Sequence, residues 1–457
     1  MSEQITPETV EPKTESHDPA VPAAYAAFMR EGWGDRELDL PAQPVAARAA
    51  ERRAKLADAF PGERLVLPAG TFKVRANDTD YRFRPDTAHT YFSGNQTSDA
   101  VLVVDGGESV LYARPRSSRE TDEFFRDRQY GELWVGRRPS LKEISDSLGI
   151  EVRHIEDLPS FDDDRKTRDI TTDDDLARVA DELRLVKDAW EVEQLQEACD
   201  VTTLGFEDSV REWDRVLEYG ERWIEGTFFR RARAMGNDIG YDSIVGGGSH
   251  ATTLHWIENT GPITPGTLVL LDMGVENRSL YTADVTRTLP VDGRFTSLQR
   301  ELYDVVYAAQ QAGIEAVRPG VPFKAAHNAA MEVLAHALAD MKLLPVSAEE
   351  ALDPESRVYA RWTLHGTSHM LGMDVHDCGR AAPDTYADGT LAEGMVLTVE
   401  PGLYFQEDDL LVPEELRGIG IRIEDDILVT ADGYRNLSGS LPRTSADVEA
   451  WMDQHRR

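Results

Sequence analysis

Two glutamates sit where an ionised group is costly. Glu400 follows the run Met395-Val-Leu-Thr-Val399, and Glu424 lies inside Gly418-Ile-Gly-Ile-Arg-Ile-Glu-Asp-Asp-Ile-Leu-Val429. Both stretches read as strands rich in Val, Ile and Leu. An unpaired carboxylate in a protein interior is penalised and tends to take up a proton. Two of them on neighbouring apolar strands call for a cation.

Other groups of the same chemistry lie upstream. Asp272 ends the apolar run Leu268-Val-Leu-Leu271, and Asp284 falls in Tyr281-Thr-Ala-Asp-Val-Thr286. The short interval between them reads as a hairpin, which brings the two carboxylates to one level and one face. Taken alone, such a pair is equally a set of turn-proximal acids facing water. Three of the eleven histidines fall within His365-Gly-Thr-Ser-His369-Met-Leu-Gly-Met-Asp-Val-His376. His365 and His369 have the step of a zincin, but Gly366 stands where that motif needs Glu, and Gly366 and Gly372 oppose a regular helix, so that reading fails. His255, in Leu254-His-Trp-Ile-Glu-Asn259, precedes the hairpin and by itself needs no special role.

Asp272, Asp284, His369, Glu400 and Glu424 together make four carboxylates and one imidazole with no thiolate. Two carboxylates about 4 Å apart repel by about 4 kcal/mol at an effective dielectric of 20. Four need matching positive charge, which two divalent cations supply. Oxygen-rich ligation suits Mn, Mg, Fe or Co better than a cysteine-rich zinc site. Five side chains serve two ions only if carboxylates bridge, about 3.5 to 4 Å apart, and a water held between them would ionise near neutral pH and attack as a nucleophile. Arg422, two residues before Glu424, faces the same side of an ideal strand and is expected to orient that carboxylate.

The elements that must position these groups fall into two halves. After a Glu-, Thr- and Pro-rich start, helices are expected over 22–33 and 45–60. Short strands follow at 64–67, 90–92, 100–104 and 109–112, with helical segments at 120–128 and 140–148. A charged loop spans 161–175. Helical patterns cover 176–185 and 187–213. The second half alternates a helix at 222–235, strands at 241–245, 253–258, 267–275 and 281–290, helices at 298–317 and 325–341, and strand-like segments near 361–369, 373–376, 394–404 and 418–429. Thr296 and Gln299 make a capping box at the start of the 298–317 helix. The division is 1–40 as a disordered or extended tail, 41–186 as a first domain and 187–457 as a second.

The 457 residues allow two or three domains, and 41% hydrophobic content allows two cores. A formal net charge of −34 opposes binding to nucleic acid or anionic membranes. No apolar run is long enough to cross a bilayer, and residues 1–6 carry no basic-then-apolar leader pattern. The two cysteines, Cys199 and Cys378, read as small buried residues and fit a reducing cytoplasm.

The second half resembles the pita-bread metallopeptidases, and within them the aminopeptidase P (Xaa-Pro aminopeptidase) family. The resemblance rests on Tyr241-Asp-Ser-Ile-Val-Gly246, Leu254 to Asn259, Leu271-Asp-Met-Gly274, Ala283-Asp-Val-Thr-Arg-Thr288, His365 to Asp377, Glu400-Pro-Gly-Leu-Tyr404 and Arg417 to Asp426. The first half resembles the family's smaller domain only in position, short strands and Tyr91-Phe-Ser-Gly94. The resemblance implies a two-domain α+β protein: a small mixed α/β N-terminal domain, and a catalytic domain built on a curved antiparallel sheet with outer helices. It implies that Asp272, Asp284, His369, Glu400 and Glu424 hold two ions, usually Mn2+, with Asp284 and Glu424 bridging. Glu400 would also carry a proton to the leaving nitrogen. His255, His365 and His376 would line the site, and Val375, Tyr404 and Arg422 would shape the pocket. It further implies substrates with proline second and a dimer or tetramer. Prolidase, which prefers dipeptides, is the nearest alternative; a non-catalytic peptide-binding module of the same fold is the other. One departure stands out: the interval from Asp272 to Asp284 is one residue longer than expected, around 276–280. Either the hairpin tip widens, or the register slips and turns Asp284 away.

Overall fold

The computed structural model describes residues 21–34 and 36–456. It is an α+β protein in two compact units, which divide between Leu183 and Arg184. Of the tail expected over 1–40, residues 1–20 and 35 lie outside the described residues; within the remainder, Ala23–Arg30 is a helix.

The first unit holds a five-stranded sheet in the order Glu151–His154, Glu108–Ala113, Val101–Asp105, Arg64–Pro68, Thr167–Asp169. The inner pairs are antiparallel and the two outer pairs parallel. The expected strand at 90–92 is instead part of a helix, Thr87–Ser93. The Asp86 carboxylate caps its start by accepting the His89 N–H at 2.9 Å, and Gly94 ends it with φ 72°. Local capping outweighs the β preference of Thr90, Tyr91 and Phe92 there. The charged stretch 161–175 is not all loop, because Thr167–Asp169 joins the sheet edge and the helix Asp174–Arg184 begins within it. The helix expected over 120–128 shrinks to Glu123–Arg126.

In the second unit the helices Ala189–Arg211, Glu221–Met235, Ser297–Ala316 and Ala325–Asp340 pack with antiparallel strands around one large core. Phe206, Phe228, Leu271, Val285, Leu302, Val306, Leu334 and Ile421 are buried in it, each side chain contributing about 1.5–3 kcal/mol by leaving water. Close helix packing needs Gly205, where a Cβ would lie 2.5 Å from the Phe228 ring. The Thr296 and Gln299 capping box forms at the start of Ser297–Ala316.

The strands come in short ladders. Leu268–Asp272 pairs with both Ile244–Gly247 and Thr286–Pro290; Val396–Val399 pairs with Asp425–Thr430; Gly402–Phe405 pairs with Ile419–Arg422. The strands expected over 394–404 and 418–429 are therefore each broken, and the breaks fall at Glu400-Pro401 and Ile423-Glu424. The segments 253–258, 361–369 and 373–376, expected as strands, form no ladder; a single bridge joins Met370, just beyond the second of them, to Leu397. Isolated backbone hydrogen bonds tie 361–369 down, with the Tyr404 N–H donating to the Trp362 carbonyl and the Glu400 N–H to the Thr367 carbonyl, each at 2.9 Å. Among the described residues no helix is long and apolar enough to cross a membrane.

Candidate metal centre and its cavity

The hairpin keeps its register. Asp272 pairs with Thr286, and Glu276 bridges to Thr282 across the tip. The longer interval is taken up at 277–280, where the Asn277 N–H donates to the Tyr281 carbonyl at 2.8 Å and Leu280 adopts φ 66°. Asp272 and Asp284 consequently face one side, and the Tyr241 hydroxyl lies 2.7 Å from one carboxylate and 2.6 Å from the other.

The other groups arrive from the strand breaks. The register Val399 to Asp425 brings Glu400, just past one strand, beside Glu424, just before the other. His369 follows from Thr398, whose backbone N–H donates to its carbonyl at 3.0 Å. Ligating atoms of Asp284, His369 and Glu424 lie within 4.8 Å of one another. His369 Nε2 is 3.2 Å from Asp284 and 3.6 Å from Glu400. Asp272 joins the group through Tyr241.

Arg422 does not hold Glu424 directly. Its guanidinium donates to Asp272 at 2.6 Å, to the Thr286 hydroxyl at 3.1 Å and to the Tyr404 hydroxyl at 3.0 Å. Thr286 in turn donates to Glu424 at 2.6 Å. The strand break between Arg422 and Glu424 removes the simple two-residue alternation on which the direct contact was expected.

A cavity of about 520 Å³ opens on this cluster. Asp272, Asp284, His369, Glu400, Glu424, His255, His365, His376, Val375 and Arg422 line it, with Tyr241, Ile244, Leu254, Ile257 and Ser368. Tyr404 is set behind the lining, with its hydroxyl 2.8 Å from His365 Nε2. Tyr241 and Thr286 join the site beyond the residues expected from the sequence. Thr286 was discoverable, since it is two residues from Asp284; nothing in the spacing marks Tyr241.

Electrostatics show what the cluster lacks. Burial pushes Glu400 up to about 7, reinforced by Asp284 and Asp272. Burial also raises Glu424 far above the carboxylate range, with Asp284 and Glu400 adding repulsion. Asp272 is raised by burial against the pull of Arg422. Burial opposes charge on His369, yet the hydrogen bond with Asp284 and the nearby Glu400 lift it to about 9. Arg422 and a protonated His369 offset only two of four carboxylates. The deficit, an all oxygen-and-imidazole donor set and three donors already converged fit divalent metal ions. Burial and Arg422 lower His365 to about 3, so that ring is neutral at physiological pH.

Behind the centre, Asp426 accepts the Asp284 N–H at 3.1 Å and the Cys199 thiol at 3.2 Å. Cys199 and Cys378 are both buried and neither is in a disulfide.

Residues 193–431 match the family model for metallopeptidase family M24, and residues 49–168 match that for the aminopeptidase P N-terminal domain. Xaa-Pro aminopeptidase 1 of Streptomyces coelicolor is 51% identical, with 99% of each chain covered. The Xaa-Pro aminopeptidase of Escherichia coli is 31% identical over 89% of this chain and 97% of its own. Aminopeptidase PepP of Pseudomonas aeruginosa superposes with a TM-score of 0.80 at 28% identity, covering 91% of this chain and all of that one. Escherichia coli aminopeptidase P, solved with the inhibitor Pro-Leu, gives 0.78 at 28% identity, covering 92% and 100%.

Proposed function

The chain belongs to metallopeptidase family M24 and is a metallo-aminopeptidase, and on that premise we propose that it releases the N-terminal residue from peptides with proline in second position. One observation carries this reading: the buried Asp272, Asp284 and Glu424, the half-buried Glu400 and His369 converge on a cavity whose other walls carry His255, His365 and His376.

In this reading Asp272, Asp284, His369, Glu400 and Glu424 would hold two divalent ions, Mn2+ by the family resemblance. When bound, the ions supply positive charge to the scissile carbonyl and a water acidic enough to attack it. Glu400 takes a proton from the attacking water and returns it to the proline nitrogen. His365 stays neutral, its Nδ1–H donating to the Gly366 carbonyl and its Nε2 accepting from the Tyr404 hydroxyl, so the ring lines the site without repelling a cation. His255 and His376 flank the carbonyl and the prolyl ring, with Val375 as apolar wall. The substrate's free amine is drawn by the same carboxylates. A bond before proline has no N–H, and none of these contacts requires one. The Pro-Leu inhibitor of the Escherichia coli relative supports a prolyl subsite.

The same reading takes 41–186 as the N-terminal domain and 187–457 as the catalytic pita-bread domain; the division at Leu183 and the two family matches support it. Two buried thiols outside any disulfide support a reducing cytoplasmic setting. A dimer or tetramer rests on the family resemblance and is read by light scattering. The activity test is Mn-loaded protein with Ala-Pro-Ala and Ala-Ala-Ala: only the first should be cut. Equal cleavage, or none of the first, defeats the proposal. A series from Ala-Pro to a pentapeptide separates aminopeptidase from prolidase, and metal analysis of the purified protein excludes or restores a non-catalytic role.

A further inference from the structure

The cavity wall that carries His255 is not part of any strand ladder. Residues 248–261 leave the end of Ile244–Gly247, turn through the 3-10 helix Gly248–Thr252 and run irregularly past Leu254, His255 and Ile257. Such a segment has to be fixed by something other than backbone pairing if its histidine is to meet a substrate reproducibly.

One carboxylate does most of this. Glu221, the first residue of the helix Glu221–Met235, is completely buried. One of its oxygens accepts the Gly247 N–H and the His250 Nδ1–H, each at 2.8 Å. The other accepts the Trp256 indole N–H at 2.9 Å and the Gly261 N–H at 2.6 Å. The Glu221 N–H closes the loop by donating to the Gly261 carbonyl at 3.1 Å. The four donors come from the start, middle and end of the segment. His250 stacks on Trp256 with ring centres 3.9 Å apart. A Cβ on Gly261 would lie 2.5 Å from the His250 ring, so the packing admits no side chain there. Asn259, with φ 48°, adds a second tie by accepting the Val245 N–H and donating to the Ser243 carbonyl.

We propose that Glu221 is a positioning residue for peptide cleavage: it grips Trp256 and the ends of the 247–261 segment, and through Trp256 sets the imidazole of the adjacent His255 in the cavity. The inference rests on the functional reading above. Glu221 is outside the cavity lining and touches none of the candidate metal-holding side chains. A carboxylate is required because all four partners are donors, and the amide of glutamine would turn an N–H toward two of them.

The test compares Glu221→Gln, Trp256→Phe, His255→Ala and the two double variants, using Mn-loaded protein and Ala-Pro-Ala. Glu221→Gln should lower kcat/KM by about 10- to 100-fold, the scale of misplacing a reacting group by about an ångström. Trp256→Phe, which removes one donor and leaves the carboxylate, should lower it in the same direction. In the His255→Ala background both changes should alter kcat/KM by no more than about twofold, because their target is gone. Hydrogen exchange of amides 250–258 should quicken in Glu221→Gln while 268–272 stay protected. Losses of the same size with and without His255, or full activity in Trp256→Phe, overturn the inference and leave the functional reading standing. Wild-type protein that leaves Ala-Pro-Ala intact overturns the reading, and the inference with it.

Discussion

Arg422 donates to Asp272 across 2.6 Å, and both side chains are buried. The same guanidinium binds Thr286 and Tyr404, so it ties the hairpin carboxylate to the strand pair that delivers Glu424 and to the support of His365. Breaking a buried ion pair strands the remaining charge at a typical cost of about 3–5 kcal/mol. Arg422→Met should lose stability on that scale in urea unfolding of the metal-free protein. Arg422→Lys should recover only part of it, since an ammonium cannot reproduce three fixed directions. Full recovery by lysine would mean that charge alone, and not the fan of contacts, matters.

Glu400→Gln keeps the side chain's shape but removes the group lifted to about 7. Turnover of Ala-Pro-Ala should fall by about 100- to 10,000-fold, the usual range for general acid–base catalysis. Metal content should fall less than turnover does, because Asp272, Asp284, His369 and Glu424 stay in place. Steady-state kinetics beside elemental analysis check both; unchanged turnover would remove Glu400 from the proton path.

Much of this centre was legible because its chemistry contradicts its surroundings. Asp272, Glu400 and Glu424 stand out as carboxylates in apolar runs, and the cavity gathers every side chain named from the sequence except Tyr404. What escaped was set by contacts between distant residues. The stretch 253–258 has strand-like residues, but Glu221, more than thirty positions earlier, holds its Trp256 indole, and its backbone turns locally, the Ile257 N–H donating to the His255 carbonyl. The 369–378 loop is likewise wound around Asp377, whose partners are Arg184 and Lys187. Tyr241 draws its importance from the two aspartates that fold onto its hydroxyl, and no local pattern encodes that. Residues 90–92 look like a strand by themselves because Asp86 and Gly94, the two residues that cap the helix, lie just outside them.

Metal removal should make stability depend on pH in a definite direction. With no ion bound, Glu400 is raised from 4.5 to about 7 and His369 from 6.5 to about 9. Each group binds its proton more tightly folded than unfolded, so its stabilisation is complete below the unfolded value and lost as pH rises through the folded one. The melting temperature of the stripped protein should therefore decline from about pH 5 to about pH 9. Metal competes with those protons, so the gain on adding Mn2+ should grow over the same range. Thermal melts with and without Mn2+ at each pH measure it. A gain that does not vary with pH would place the metal elsewhere.

Asp377 provides a control on the opposite limb. Burial works against its charge, but the Arg184 guanidinium and the Lys187 ammonium, the latter at 3.0 Å, hold it well below the usual carboxylate range. A depressed carboxylate contributes stability above its unfolded value, about pH 4, and loses it as pH falls through the folded one. Asp377→Asn leaves two buried cations facing an amide and should cost about 3–5 kcal/mol at pH 7. The gap from wild type should narrow progressively below about pH 4, as the wild-type carboxylate is itself forced to protonate. Added Mn2+ should leave the gap unchanged, since Asp377 lies outside the candidate cluster. Urea unfolding at pH 7 and at pH 3 reads the narrowing. A gap equally wide at both would show that Asp377 acts through packing around Gly372, where a Cβ would lie 2.2 Å from its carboxylate, and not through its charge.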